Sequence, residues 1–347
     1  MQHPLQHLSL FTQSQLSHYT TVRAGEQKLG QKVGVVNTAE NIATATQQGY
    51  RFALIGIPES IGPVANHGYA GAEKGWDAFL TYFLNLQSND FLSGDNVLLL
   101  GHVNCDDLMR SALSDTSHTH QQQLCEQLDQ RVHHILLSIF NAGLIPIVIG
   151  GGHNNAYPII KACAESKQQS MAVTNLDPHA DFRALEGRHS GNPFHYAHNQ
   201  GHLERYSVLG LHEQKNSADA LNALKKLQFP FYSMQQIFWR KEITFDKCIA
   251  KTQDYLTGAS SPIGIEVDVD AITEMPSSAT TRAGISLDDA LFYVHQIATL
   301  PKVQYLHLAE GAPSRHPAGE QAGKRVVGQT LAELSCAFIK GGAKHHE

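Results

Sequence analysis

The stretch LIPIVIGGGHNNAYPIIKACAESKQQSMAVTNLDPHAD (residues 144–181) contains two short apolar runs with an amphipathic segment between them. The runs at 144–150 and 171–177 have the length of buried strands, and residues 156–167 carry apolar side chains at helical spacing. Two strands joined by a helix pair in parallel, because the helical crossover returns the chain to the same end of the sheet. The stretch therefore predicts an α/β fold on a parallel sheet.

The same alternation of apolar runs and amphipathic segments continues along the chain. Further strands are predicted at 52–57, 96–101, 206–211, 263–270 and 303–309, and further helices at 126–143, 217–227 and 286–300. Ser286, followed by Asp289, gives the last of these helices a capping start. Because no internal repeat or low-complexity linker divides the chain, residues 1–347 are predicted to form one doubly wound domain, with an N-terminal extension over about residues 1–50 and a frayed tail at 341–347.

The composition restricts the class of partner. A hydrophobic content of 42% in 347 residues supports a large core, and a formal charge of -6 without a Lys/Arg cluster argues against nucleic acid or an anionic membrane surface. No window reaches the roughly 18 apolar residues of a membrane span, and the N-terminus does not resemble a signal peptide. The five scattered cysteines indicate neither disulfides nor a thiolate zinc site. A cytoplasmic protein that binds a small molecule is predicted.

Side chains that can bind a metal follow four of the predicted strands. They are His153 after the first run of the opening stretch, Asp177, His179 and Asp181 after the second, Asp268 and Asp270 at the end of 263–270, and Glu310 after 303–309. In an extended chain, alternate residues point to the same side. Because ligands of open α/β sheets collect beyond the carboxyl ends of the strands, these residues are predicted to converge on one site.

Several carboxylates in one pocket repel each other and take up protons unless a multivalent cation lies between them. Carboxylates and imidazoles suit Mn(II), with Fe(II), Co(II), Ni(II) and Zn(II) as alternatives. Excluding Glu310, the set offers six ligands, which fits two ions better than one ion that also keeps a water. Since a water between two such ions ionises near neutral pH, the predicted reaction class is metal-assisted hydrolysis.

Five segments, taken in order, carry a resemblance to a known family. GGGHNN (150–155), DPHAD (177–181) followed by RHSGN (188–192), and EVDVD (266–270) followed by LHLAEGAP (306–313) resemble the ureohydrolases, the family of arginases, agmatinases and formimidoylglutamases. The resemblance implies a three-layer α/β/α sandwich around a mostly parallel sheet, two Mn²⁺ ions per chain, and a homo-oligomer that is a trimer or a hexamer.

The resemblance also implies a role for each matching residue. His153 and Asp181 would bind one ion and His179 the other, Asp177 and Asp268 would be shared, and Asp270 would be a further ligand. Glu310 stands where the family holds the cationic guanidinium or amidinium group. Asp181 is the family's candidate for taking the proton of the nucleophile. Ser190 and Asn192 lie in the loop that receives the amino-acid end of the substrate.

Four positions depart from the pattern of arginases and agmatinases. Gly152 replaces an acidic residue before the first ligand histidine, Pro178 replaces a small residue, and Glu266 replaces a residue of the Ser/Thr type. Phe194 replaces a proton-shuttling histidine, with His195 one position later. Because none of these is a predicted ligand, the departures bear on arginase activity more than on metal binding.

The loop DFRALEGRHSGN (181–192) indicates the substrate. Arg183, Arg188 and His189 supply positive charge for the two carboxylates of N-formimidoyl-L-glutamate, and arginine pairs with carboxylates in a two-pronged geometry. An alternative for both arginines is an ion pair with Asp181 or Glu186. The stretch 56–76 also resembles the formimidoylglutamase-type branch. The predicted reaction releases glutamate and formamide, a step of histidine degradation, with His195 or His189 assisting proton transfer.

Other functions remain open from the sequence alone. Another ureohydrolase of the guanidinobutyrase, arginase or agmatinase type would use the same ligands. A family member that has lost catalysis and acts as a binding or regulatory subunit is also compatible with the altered positions. A deacetylase on a related fold is disfavoured, because such sites generally use one ion and lack the carboxylate pair at Asp268 and Asp270.

Overall fold

A nine-stranded sheet forms the centre of the protein within residues 5–343, which are the residues that the computed structural model describes. The strands are β1 (Leu8–Leu10), β2 (Phe52–Gly56), β3 (Val97–Val103), β4 (Ile145–Ile149), β5 (Met171–Leu176), β6 (Leu203–Leu211), β7 (Phe231–Ser233), β8 (Ile263–Asp268) and β9 (Val303–Ala309). Their order is β1-β3-β2-β4-β9-β8-β5-β6-β7, and every pair is parallel except β1 with β3. The α/β class and the seven strands predicted from apolar runs are confirmed.

Helices cover both faces of the sheet. They are α1 (Gln13–Tyr19), α2 (Ile61–Ala65), α3 (Gly75–Phe83), α4 (Asp106–Ser114), α5 (His118–Asn141), α6 (Ala156–Lys167), α7 (Pro193–Asn199), α8 (Ala218–Lys226), α9 (Phe245–Thr257), α10 (Leu287–Ala298) and α11 (Glu320–Ala343). Consecutive strand residues enter opposite layers: Leu54 of β2 packs with α3 and α11 in one core, and Ile55 packs with α5 and α6 in the other. This is the three-layer α/β/α arrangement.

The two edge strands are the ones that the apolar pattern missed. β1 and β7 have three residues each, too few for a periodic signal. Part of the predicted N-terminal extension belongs to the sheet, because Leu8–Leu10 pairs with Gly101–Val103. Gly101, at φ +128°, allows this pairing, since a Cβ there would lie 2.0 Å from the carbonyl oxygen of Ser9.

The helices differ from prediction mainly in length. Ser286 caps α10, accepting from the backbone N–H of Asp289 at 3.0 Å, which confirms the capping start. α5 begins eight residues before the predicted 126, and α11 was not predicted. Its glycines lower helix propensity but allow close packing, because a Cβ on Gly328 would lie 2.4 Å from the Ala78 carbonyl oxygen of α3.

α11 also shortens the predicted tail. The helix continues to Ala343, and the buried Gly341 passes so close to α10 that a Cβ there would lie 2.6 Å from the carbonyl oxygen of His295. The prediction that the chain frays from 341 is therefore wrong for 341–343, where packing against α10 holds the helix; residues 344–347 lie outside the described residues. Within residues 5–343, no helix is both long and apolar enough to cross a bilayer.

Candidate metal centre

Four neighbouring strands, β4, β9, β8 and β5, end at the same edge of the sheet and carry the predicted ligands. The side chains are His153 after β4, Glu310 after β9, Asp268 and Asp270 at the end of β8, and Asp177, His179 and Asp181 after β5. The structure brings all of them to one end of a cavity. Because parallel strands share a direction, residues far apart in the chain meet where the strands end.

The glycine loop after β4 places His153. Gly150 and Gly151 adopt φ values of +82° and +72°, which turn the chain sharply at the end of the strand. The carboxylate of the buried Glu59 then accepts hydrogen bonds from the Gly152 N–H and from Asn155 Nδ2, both at 2.7 Å. A Cβ on Gly152 would lie 2.2 Å from Pro63 Cδ, so this position has no room for the acidic residue found in arginases.

One group of ligand atoms surrounds the imidazole of His153. Its Nδ1 lies 2.9 Å from Asp181 Oδ2, 3.1 Å from Asp177 Oδ2 and 3.6 Å from Asp268 Oδ2. Despite these short distances, Nδ1 makes no well-directed hydrogen bond within residues 5–343. Ligand atoms that lie this close together without a hydrogen bond between them have the arrangement expected around a common ion.

A second group lies on the other side of Asp177. The Nδ1 atom of His179 is 3.3 Å from Asp177 Oδ1 and 3.4 Å from Asp270 Oδ2. Asp177 thus turns one oxygen to each group, while the backbone N–H of His179 and Asn175 Nδ2 fix its orientation at 2.6 and 2.9 Å. Two groups that share one carboxylate have the form of a two-ion site.

The charges of the site also fit bound cations. Burial, together with the charge of Asp177, raises the pKa of Asp181 to about 6. Burial and the neighbouring Asp268 likewise raise the pKa of Asp270 well above its usual range, and they do the same for Glu310. Burial and mutual repulsion thus favour the protonated forms of these carboxylates, and a multivalent cation between them would remove the repulsion.

A buried network lies behind His153. Glu266 Oε2 is 3.4 Å from His153 Nε2 and 2.7 Å from His307 Nδ1, and the hydroxyl of Tyr305 donates to Glu266 Oε1 at 2.8 Å. Glu266 of β8 and His307 of β9 are register partners, and Gly264 leaves space for the Tyr305 ring. The sequence analysis did not identify this network. The signal for it was the pair Tyr305 and His307, which stand at alternate positions of the apolar strand VQYLHLA.

Glu310 and Asp181 are held in an unusual backbone conformation. Their φ values are +68° and +44°, a region that side-chain-bearing residues rarely occupy and that recurs at functional sites. Glu310 Oε1 accepts from the backbone N–H of His153, and its Oε2 accepts from the Ser278 hydroxyl, both at 3.0 Å. The Glu310 carboxylate therefore faces the cavity in a fixed orientation.

The cavity above the carboxylates has a volume of about 740 Å³. Beyond the predicted ligands, three residues predicted to act on the substrate line it: Arg183, Ser190 and His195. Arg183 lies at its rim, where Nη2 contacts Glu186 at 2.9 Å and Nη1 donates to Asn66 Oδ1 at 3.1 Å. Arg183 thus forms the ion pair with Glu186 that was the alternative to a substrate contact. Ser190 and His195 also line the cavity, and the Arg183 carbonyl oxygen lies 2.7 Å from His195 Nδ1.

Arg188, by contrast, is not placed to contact a substrate. Its side chain is buried, with donors directed to Asp129 at 2.8 Å and to Asn192 Oδ1 at 2.7 Å. The rings of Tyr157 and Tyr196 lie 4.7 and 4.9 Å from its guanidinium carbon. The prediction of a substrate contact is wrong for Arg188, because a buried cation needs a carboxylate partner and finds it in α5.

His189 and Asn192 are also directed away from the cavity. Asn192 Nδ2 donates to the carbonyls of Ala184 and Gly187, and His189 Nδ1 accepts from the Gly191 N–H at 3.0 Å. Neither residue lines the cavity, so the predicted substrate contacts are corrected here too. Both side chains use their polar atoms to hold the loop in shape.

The structure adds a cation that sequence reasoning did not single out. Lys215 follows β6 and lines the cavity beside the carboxylates. Phe194 is buried, with its ring 5.3 Å from that of His153. Lys215 could have been predicted from the sequence, because it follows the predicted strand at 206–211 and ligands bind beyond the ends of such strands.

Comparison with known proteins gives consistent matches. The profile of the arginase family matches residues 50–334. A formimidoylglutamase of Corynebacterium efficiens is 26% identical over 208 residues, which cover 58% of this chain and 64% of that relative, slightly less than two thirds of its length. A formimidoylglutamase of Streptococcus gordonii is 28% identical over 285 residues, which cover 77% of this chain and 78% of the relative.

Solved structures share the fold at lower identity. The crystal structure of formimidoylglutamase from Bacillus subtilis matches with a TM-score of 0.74 and 20% identity, covering 92% of this chain and 93% of the other. Formiminoglutamase of Trypanosoma cruzi, crystallised with two Mn²⁺ ions, matches with a TM-score of 0.70 and 20% identity, covering 90% and 98%. The predicted three-layer fold is confirmed.

Proposed function

Because the chain belongs to the arginase family, we propose that it hydrolyses an amidine C–N bond with two manganese ions. We propose N-formimidoyl-L-glutamate as the substrate, which reacts with water to give L-glutamate and formamide. The observation that carries the proposal is the pair of carboxylate and imidazole groups that share Asp177 at the end of a cavity. The names of the relatives that match at 26% and 28% identity support the choice of substrate.

The ligands divide between the two groups. His153, Asp181 and Asp268 with Asp177 would hold one ion, and His179 and Asp270 with Asp177 would hold the other. When bound, the ions would lower the pKa of a coordinated water and so supply hydroxide near neutral pH. The donor set of oxygen and imidazole nitrogen suits Mn²⁺.

Three side chains of the cavity would carry the proton and charge chemistry. The fixed carboxylate of Glu310 would contact the cationic nitrogen end of the amidine. Asp181 would accept the proton of the attacking water and pass it towards the leaving amine. His195 is proposed to assist, since Nδ1 is directed to the Arg183 carbonyl and Nε2 is the nitrogen left for proton transfer.

The tail of the substrate would extend away from the carboxylates. Arg183 and Ser190 line the cavity and offer a guanidinium and a hydroxyl to a carboxylate. Arg183 would exchange its contact with Glu186 for the substrate, and exposed pairs of this kind are weak, about 0–1 kcal/mol. A cationic tail such as that of agmatine would be repelled by the same guanidinium.

The test is a substrate panel with manganese-loaded protein. N-Formimidoyl-L-glutamate, L-arginine, agmatine and 4-guanidinobutyrate are compared by the release of formamide or urea, with protein stripped by a chelator as the control. We expect formamide from the first compound and at least about 100-fold slower release of urea, because the tails differ in charge. Urea at a comparable rate from any guanidino compound would contradict the proposal.

A second candidate is a family member without catalysis. The observation in its favour is Phe194, which packs against His153 at the position where arginases keep a proton-shuttling histidine. Metal analysis separates the two. A catalytic site is expected to hold about two Mn per chain after incubation with Mn²⁺, and less than one would favour a binding subunit.

The wider assignments are also part of the proposal. We place the reaction in histidine degradation, the protein in the cytoplasm, and the chain in a homo-oligomer of three or six copies. These rest on the family resemblance and on the proposed substrate. Light scattering of the purified protein tests the last of them, and a monomeric mass at micromolar concentration would contradict it.

A further inference from the structure

Two cationic side chains, Arg183 and Lys215, line the cavity at different points of the fold. Arg183 comes from the loop after β5 and Lys215 from the short turn after β6. The carboxylates of Asp181, Asp268, Asp270 and Glu310 line the end of the cavity that would receive cations. Within this cavity, the two cations are the side chains whose charge favours an anionic part of a ligand.

The two cations differ in how they are held. Arg183 is exposed and forms an ion pair with the exposed Glu186. Lys215 is half-buried, and its ammonium donates to the hydroxyl of Thr281, a buried residue of the segment that follows Asp270. Within residues 5–343 Lys215 forms no ion pair with a carboxylate: Glu213 pairs with Arg240 at 2.7 Å, and Asp270, on which the charge of Lys215 acts, lies beyond contact distance. The charge of Lys215 is thus available to a ligand.

The turn that carries Lys215 is fixed to the loop of metal ligands. Asn216 Oδ1 accepts from the backbone N–H of Ala180 at 2.7 Å, and its Nδ2 donates to the carbonyls of Pro178 and His212, both at 2.9 Å. These bonds join the residue next to Lys215 to residues that alternate with the predicted ligands in DPHAD. The position of Lys215 relative to the metal centre is therefore set by backbone contacts and does not depend on a flexible rim.

We propose that Lys215, supported by Thr281, is the specificity-determining residue that binds a carboxylate in the tail of the substrate. This inference rests on the proposed function and names the group that selects an acidic tail. The ammonium supplies a charge-assisted hydrogen bond, and its position in a half-buried wall makes it less screened than Arg183. The exposed Asp219 lines the cavity near the same turn without pairing with Lys215.

The experiment measures binding and turnover separately. The binding of L-glutamate to manganese-loaded protein is followed by calorimetry for the wild type and for Lys215→Met, Lys215→Arg and Thr281→Val. Lys226→Met, at the exposed end of α8, is the matched control. Metal content is measured for each variant, so that a loss of manganese is recognised.

Lys215→Met is expected to weaken the binding of L-glutamate by roughly 10- to 100-fold and to lower kcat/KM for N-formimidoyl-L-glutamate by a similar factor. Lys215→Arg should retain most of the binding, Thr281→Val should show a smaller loss, and Lys226→Met should show none. The manganese content should remain that of the wild type in all four.

Unchanged glutamate binding in a folded, metal-loaded Lys215→Met variant would overturn the inference. If that variant does not fold, equal binding by Thr281→Val and the wild type would overturn it instead. A wild type that binds L-glutamate through Lys215 but releases no formamide would leave this inference standing and refute the proposed function. If the Lys215 variants release formamide as fast as the wild type, this inference is refuted and the proposed function stands.

Discussion

The end of the cavity and the loop 183–192 both contain several charged residues, but the surroundings of these charges differ. At the metal centre, carboxylates of like charge are crowded together, and their repulsion is relieved by cations from solution. In the loop, cations are matched by carboxylates of the chain itself, Arg188 by Asp129 and Arg183 by Glu186. The crowded carboxylates of the metal centre thus meet a ligand, whereas the buried pair of Arg188 and Asp129 shapes the wall, and the exposed pair of Arg183 and Glu186 can be exchanged for a ligand.

The largest effect is expected from breaking the shared ligand. Asp177→Asn removes the charge of the carboxylate whose oxygens face both groups, so both ions lose affinity. We expect less than two Mn per chain and a fall in kcat beyond the about 10²- to 10³-fold typical of losing one electrostatic contact. Metal analysis and steady-state kinetics are the measurements. The exposed Asp246 of α9 provides the control variant Asp246→Asn, and full activity in Asp177→Asn would disprove a shared ligand.

The next effect tests internal pairing in the loop. Asp129→Ala leaves the buried guanidinium of Arg188 without its carboxylate, which is expected to lower the free energy of unfolding by about 3–5 kcal/mol. Urea titration gives this value. The double variant Asp129→Leu with Arg188→Met removes both charges and should recover most of the loss. If the single variant is as stable as the wild type, Arg188 is free for another partner and the contrast with the metal centre fails.

A smaller effect is expected behind the metal centre. Glu266→Gln removes the charge next to His153 Nε2 and His307, and should weaken Mn²⁺ binding by about 10- to 100-fold. Titration of stripped protein with Mn²⁺ gives the affinity. Tyr305→Phe, which removes one donor to the other oxygen of Glu266, should weaken binding less. An unchanged affinity in both variants would show that this network does not support the ligand.

The smallest effect is expected at the rim. Arg183→Gln removes an exposed, screened guanidinium that must leave Glu186 to contact the substrate, so kcat/KM should fall by no more than about fivefold. Glu186→Gln frees the guanidinium and should change kcat/KM by a similar factor in the opposite direction. If Arg183→Gln alone lowers kcat/KM by 100-fold, Arg183 and not Lys215 makes the principal contact with the substrate carboxylate.

The sequence predicted what depends on local pattern. Apolar runs located the seven longer strands, and the period of two in DPHAD and DVD identified side chains that meet because their strands are parallel. The edge strands β1 and β7 were missed because three residues carry no period. The direction of Arg188 depends on Asp129, 59 residues earlier in α5, and that contact leaves no mark on the loop itself.

The pairing of β1 with β3 has a consequence for the limits of the folding unit. The family match begins at residue 50, but β3 is a seven-residue, almost fully buried strand whose outer edge is covered by Leu8–Leu10. A chain cut at the family boundary would present the free N–H and C=O groups of that edge to other molecules, which is a template for intermolecular strand pairing. We therefore expect a chain that begins at residue 50 to aggregate more readily than the full chain, because the first strand covers an edge of the sheet that the matched range leaves out.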